Sequence, residues 1–369
     1  LPTFYKQDDV SKELKKELLN KFNLDFTFTQ NITYNFFPRP HFTSKETSII
    51  EDKNSIAEIN NIKIYVSLDN LFSFKNIDVN EVILQNTNFN LNLKNYNFFT
   101  KILNNNFLNS NLKIKNSNIF FRNLENEVLF INKIRSFKYY YDSSELKNIL
   151  FAQSEIFNIP FSLEVINHED EKKLYTNLNL DFAKLRMENI YKYDNNINSG
   201  LTSLTVNKTK SSINYKVNKN FFEFNYYDNL EKQKFLYNGK FNFRPFYSTI
   251  EGETKEINFS YLFDTNAIIA ELLKTEILNN KNIDFKLNIV ANKIQNSHMF
   301  ENLFLKSKIQ DGYIDIDDTK IEWKNNSIVK LTDTLIFVKE GKLFLDGKSN
   351  IDISNIDNIY KFLLTPKNF

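Results

Sequence analysis

Apolar and polar residues alternate one for one along most of this chain. From Thr87 to Leu93 the odd positions are Thr87, Phe89, Leu91 and Leu93, and the even ones between them are asparagines. From Leu174 to Phe182 the even positions are Leu174, Thr176, Leu178, Leu180 and Phe182, set against Tyr175, Asn177, Asn179 and Asp181. From Ile283 to Ala291 the odd positions are Ile283, Phe285, Leu287, Ile289 and Ala291. Successive strand side chains point to opposite faces, so each segment predicts a strand with one apolar and one wet face. Repeated along the chain, this predicts roughly 18 to 24 strands in an antiparallel sheet with one solvated side. Units of strand, Asn-rich step and second strand recur, as in Ile77 to Leu93 and Leu112 to Phe121. Near the end, Asp311-Gly312, Glu340-Gly341 and Asp346-Gly347 predict tight turns, because Gly supplies the positive φ they require.

Helical spacing is confined to four places. Val10, Leu14, Leu18 and Phe22 recur every fourth residue within Asp9 to Phe22. Tyr96 to Leu103 groups Phe99, Ile102 and Leu103. Asp264 can cap a helix to about Leu278, and Ser354 with Asp357 resembles a capping box before Ile356, Ile359, Tyr360 and Leu363. No Pro/Gly/Ser-rich linker divides the chain. It reads as one continuous sheet in three regions, residues 1–110, 111–282 and 283–369.

Composition adds little chemistry. Asn is about one residue in six and Lys outnumbers Arg by 42 to 5, the bias of an AT-rich genome rather than of a low-complexity tract. The net charge of +2 is spread along the chain, without the clustered basic face that nucleic acid requires. Cys is absent, which excludes disulfides and thiolate chemistry. His41, His168 and His298 lie far apart and lack metal-ligand spacing. Asp315 and Asp317 alternate with Ile314 and Ile316, which is a strand pattern and not a calcium loop. Neither a nucleophile elbow nor a phosphate cradle is present. The expectation is a non-enzymatic protein with no catalytic residue, metal or cofactor.

What remains is the apolar face. In a closed sandwich it would be core. In an open trough it would line a hydrophobic groove, and alternation alone fits both. The groove candidates are Phe89, Leu91, Leu93, Leu178, Leu180, Phe182, Phe285, Leu287 and Ile289. An acyl chain laid there would gain about 0.8 kcal/mol per buried CH₂.

The amino-terminal stretch FNLDFTFTQNITYNFFPRPHF, whose Phe-Pro-x-Pro segment is Phe36, Phe37, Pro38, Arg39, Pro40, His41 and Phe42, resembles the start of AsmA-like proteins. The resemblance continues through Ile56, Ala57, Ile62, Ile64, Val66, Leu68, Leu71, Phe72, Ile77, Val79, Ile83, Phe89 and Leu91, and again from about Ile283 to Leu364. It implies an elongated, curled, taco-like antiparallel sheet with a few short helices at its ends and edges. It also implies a periplasmic protein of outer-membrane biogenesis that carries phospholipid, held to the bacterial inner membrane by a segment upstream of Leu1. Some members of that family are tied instead to outer-membrane protein assembly and targeting. Assembly proteins as partners, with the apolar face serving only as core, are therefore the alternative.

Overall fold

The computed structural model describes residues 7–29, 31–67, 77–92, 94–104, 110–123, 125–168, 171–193, 197–206, 209–218, 220–228, 234–244, 247–257, 284–295, 297–324, 326–340 and 342–364. The fold is mainly β, in large curled mixed sheets with few short helices. The chain divides into two compact units, Leu1–Lys192 and Tyr193–Phe369. Both boundaries expected from sequence, at 110 and 282, fall between paired strands inside a unit.

The first unit opens with α1 (Gln7–Phe22) and the short strands β1 (Asp25–Phe28) and β2 (Thr33–Asn35). There follow β3 (His41–Glu51), β4 (Asn54–Val66), β5 (Val79–Leu91), α2 (Phe98–Leu103), β6 (Asn111–Arg122), β7 (Val128–Asp142), β8 (Lys147–Ile156), β9 (Ile159–His168), β10 (Lys173–Leu180) and β11 (Leu185–Lys192). From β3 to β11 each strand pairs with the next, while β1 and β2 share the outer edge of β3. All pairings are antiparallel except β5 with β6. The wholly antiparallel expectation fails there for a geometric reason: the connection carries α2, and a crossover through a helix returns the chain in the same direction.

Alternation changes phase inside several strands, and left-handed residues absorb the slip. Glu46, Asn86 and Asn116 have φ near 50°. At each the ladder lacks one pair with the register kept, and on β5 the inward set passes from Val82 and Leu84 to Thr87 and Phe89. Asn tolerates this backbone region better than most L-residues. The Asn-rich steps of the sequence are thus, at residues 86 and 116, places where the ladder is interrupted while its register is kept. The Thr87 N–H, displaced from its ladder there, donates to Ser117 Oγ at 3.0 Å.

α1 seals the start of this sheet. Leu14, Leu18 and Phe22 are fully buried, and with Val10 they join Phe26, Ile49, Ile59 and Phe89 in one core. The four-residue spacing read from sequence is therefore the buried stripe of the helix.

The second unit contains β12 (Asn198–Val206), β13 (Thr209–Val217), β14 (Phe221–Asp228), β15 (Lys234–Arg244), β16 (Tyr247–Ile257), β17 (Asp284–Ile294), β18 (Phe300–Gln310), β19 (Tyr313–Asp315), β20 (Lys320–Trp323), β21 (Ser327–Lys339), β22 (Lys342–Ile353) and α3 (Ile356–Leu364). The order is sequential, with β19 and β20 sharing the space between β18 and β21. β16 and β17 are parallel. The helix expected from Asp264 to Leu278 lies outside the described residues.

Two turn expectations part ways here. Asp311 and Gly312 have φ of 51° and 81°, and they make the expected tight turn. Asp346-Gly347 is not a turn but the middle of β22. Across from it β21 bulges at Asp333 and Thr334. A Cβ on Gly347 would overlap Thr334 Oγ1 and Cα, so the glycine makes room for a neighbouring strand. At α3, the Asn355 side chain, not Ser354, accepts the Asn358 N–H at 3.1 Å. The helix starts one residue later than the Ser-x-x-Asp spacing predicts.

Candidate apolar groove

Directly opposed residues in neighbouring strands share a face, so the registers define rows of side chains running across the sheet. In the first unit one row reads Ser44, Ile62, Leu84, Ile114, Phe137, Ala152, Leu163, Leu178 and Met187, from β3 to β11. Its first six members are buried, Ile62 completely. Leu163, Leu178 and Met187 are only half-buried. The change follows the helices. α1 and α2 lie on the early strands, where Phe98 and Ile102 are buried, and the Tyr139 hydroxyl donates to the Leu103 carbonyl at 3.1 Å. Past β9, no described helix covers this face.

Every residue of β10 is of intermediate exposure, so β10 forms a single layer with both faces accessible. The two faces differ chemically. The inward one carries Leu163, Leu178 and Met187, flanked by Phe161, Leu180 and Leu185. The outward one opposes Glu164, Asn177 and Glu188, and Asn177 Nδ2 donates to Glu164 Oε2 at 2.9 Å. The half-buried apolar side chains of this face thus run contiguously from β9 to β11.

The sequence candidates separate accordingly. Phe89 and Leu91 are fully buried, and the rings of Phe98 and Phe99 pack on Phe89 at 6.0 and 5.2 Å between centroids. They are core beneath α2 rather than groove wall. Leu178 and Leu180 are on the uncovered face. Phe182 belongs to a 3₁₀ turn, Asp181–Ala183, beyond the end of β10, and is exposed. Leu93 lies outside the described residues. Sequence reasoning missed Leu163 and Met187, which the registers place on either side of Leu178.

In the second unit Phe285, Leu287 and Ile289 are half-buried on one face of β17, opposite Ile309, Ser307 and Leu305. Ile289 packs against the small core of Ile257, Ala291, Ile294 and Leu303. A further row runs Phe285, Ile309, Ile314, Ile336, Leu345 to the last strand. Ile314 and Ile336 are buried in its middle, while Leu345 is 66% exposed.

Charged groups are engaged away from these faces. The Phe-Pro-Arg-Pro corner sets the Arg39 guanidinium 4.4 Å above the Tyr65 ring and 2.6 Å from the carboxylate of buried Glu81, which also meets Lys113. Burial alone would raise the Glu81 pKa, but hydrogen bonds and charge from Lys113 and Arg39 outweigh it and hold the group below its ordinary value. Asp318 accepts from Lys306 at 2.9 Å and faces Lys330 at 3.0 Å, and these hydrogen bonds lower its pKa to about 2. Asp315 accepts the Asp317 N–H, and Asp317 accepts the Thr334 N–H. These aspartates brace the β19–β21 connection. Among the described residues no cluster of metal-ligating side chains occurs.

Glu81 and Asp318, like Asp142, Glu155 and Glu171, are depressed on folding, so their stabilisation is present above the unfolded value of about 4 and is lost as pH falls below it. Tm is therefore expected to drop between about pH 4 and pH 2. Asp318→Asn should flatten the Asp318 part of that fall. An unchanged profile in a differential scanning fluorimetry series would contradict the assignment.

No protein-family model matches this chain, and no curated protein matches it. Among the described residues no helix is long and apolar enough to cross a membrane.

Proposed function

We propose that the chain is a non-enzymatic lipid-binding protein of the AsmA-like kind. On this reading it is periplasmic, anchored to the inner membrane by an upstream segment, and serves outer-membrane biogenesis by holding or conducting phospholipid along its apolar β-faces. One observation carries the reading. The row that is core under α1 and α2 continues without a break into Leu163, Leu178 and Met187, where burial becomes only partial. A cavity-free core would need a second layer there. An acyl chain supplies one without specific polar contacts, and a 16-carbon chain fully sheltered would gain on the order of 12 kcal/mol before ordering costs. The alternative, an assembly factor for outer-membrane proteins, predicts that this face is closed by protein.

The test is direct. The chain is purified from a bacterial host, extracted into organic solvent, and the extract is analysed by mass spectrometry. Phospholipid near stoichiometric with protein is expected. A lipid-free preparation that also fails to take up phospholipid from vesicles would overturn the reading.

A further inference from the structure

The last strand of the second unit presents a self-complementary edge. Among the described residues β22 pairs with β21 alone, and all twelve of its residues are exposed. Such an edge carries a row of backbone N–H and C=O groups able to pair with another strand. Natural sheets usually blunt a long edge with bulges, proline or charged side chains. Here the bulge sits on β21, β22 has no proline, and its charges are Lys342, Asp346, Lys348 and Asp352.

We propose that β22 pairs antiparallel with β22 of a second copy of this chain, about a two-fold axis through Gly347. A two-fold that joins two sheet edges stands normal to the sheet and leaves each face on its own side. Residues that face each other must then lie on the same face, which restricts the centre of pairing to a residue opposite itself. Centred on Gly347, Lys342 meets Asp352 of the second copy and Asp346 meets its Lys348, each twice by symmetry; Lys348, largely exposed, also pairs with Asp333 of its own chain at 2.8 Å. On the other face Leu343 meets Ile351 and Leu345 meets Ser349. Shifting the centre by one residue either way sets Asp346 against Asp346 or Lys348 against Lys348. Opposite charges stabilise directly opposed strand pairs and like charges destabilise them, so the charge pattern selects one register of the three.

The apolar side agrees independently. Leu343, Leu345 and Ile351 continue the face that holds Val338, Ile336 and Val329 on β21. Leu345 is 66% and Ile351 56% exposed. A second β22 would extend that face across the axis, and Gly347 at the centre leaves no side chain between the two backbones. The pairing does not depend on whether lipid is bound.

Sedimentation velocity on the whole chain across a concentration series tests this. The unaltered chain is expected to form a reversible dimer. Lys342→Glu with Lys348→Glu makes the strand's charges all acidic, and Asp346→Lys with Asp352→Lys makes them all basic. Each variant alone should self-associate about tenfold more weakly or worse, and an equimolar mixture should recover a heterodimer. The mixture also controls for folding, since misfolded variants would not rescue each other. A chain that stays monomeric at all concentrations, variants that dimerise as well as the original, or a mixture that does not associate would each overturn the proposal.

Discussion

Phe89→Ala is expected to destabilise the first unit by about 3–5 kcal/mol, the range for emptying a fully buried aromatic site. Phe89 has no exposed surface, and it holds the α2 rings of Phe98 and Phe99 against the sheet. Removing it leaves a cavity that rigid strands on either side, at Ala57 and Ile119, cannot close. Urea denaturation followed by circular dichroism would measure the loss. A shift under about 1 kcal/mol would mean that α2 does not seal this end as described.

Leu178→Asp, on the same face five strands further along, is expected to behave in the opposite way. Leu178 is already half-exposed, so the fold should lose only about 1–2 kcal/mol. Lipid binding should suffer far more. A carboxylate between Leu163 and Met187 would have to shed water wherever an acyl chain lies on it, at a cost of roughly 3 kcal/mol, or about 100-fold in affinity. Titration with a fluorescent phospholipid analogue would show it. If Leu178→Asp unfolds the chain as thoroughly as a charge at Leu18 would, the face is closed by protein and the assembly-factor alternative gains.

The contrast between these residues shows where sequence stops being informative. Alternation in Thr87 to Leu93 and in Leu174 to Leu180 is equally clean, and Thr87–Leu91 and Leu174–Leu180 are both strand. Phe89 and Leu178 look alike because periodicity reports which face a residue is on and not what lies over it. Cover is a long-range property: α1 was legible from Val10, Leu14, Leu18 and Phe22, but its seat over β1 and β5 was not. Gly347 misled for the same reason. Asp-Gly is a turn signal locally, and only the bulge at Thr334 on another strand explains a glycine in mid-strand. The phase slips at Asn86 and Asn116 were visible as Asn-rich steps, though without registers they read as connections between strands. Parallel pairing of β5 with β6 was hidden too, since it depends on the α2 connection carrying the chain back to the end of the sheet where β5 began.

The AsmA-like resemblance rests on apolar spacing and the Pro38–Pro40 corner. In the structure that corner has its own local role, placing Arg39 between Tyr65 and Glu81. Its functional weight therefore falls on the uncovered rows rather than on the corner.

The most direct measurement is position-resolved crosslinking in cells, with a photoreactive phenylalanine analogue placed in turn at residues 89, 178, 187 and 287. The account predicts phospholipid adducts from 178, 187 and 287 and none from 89, where only protein is within reach. Adducts to protein alone at all four positions, or lipid at 89 as readily as at 178, would contradict it.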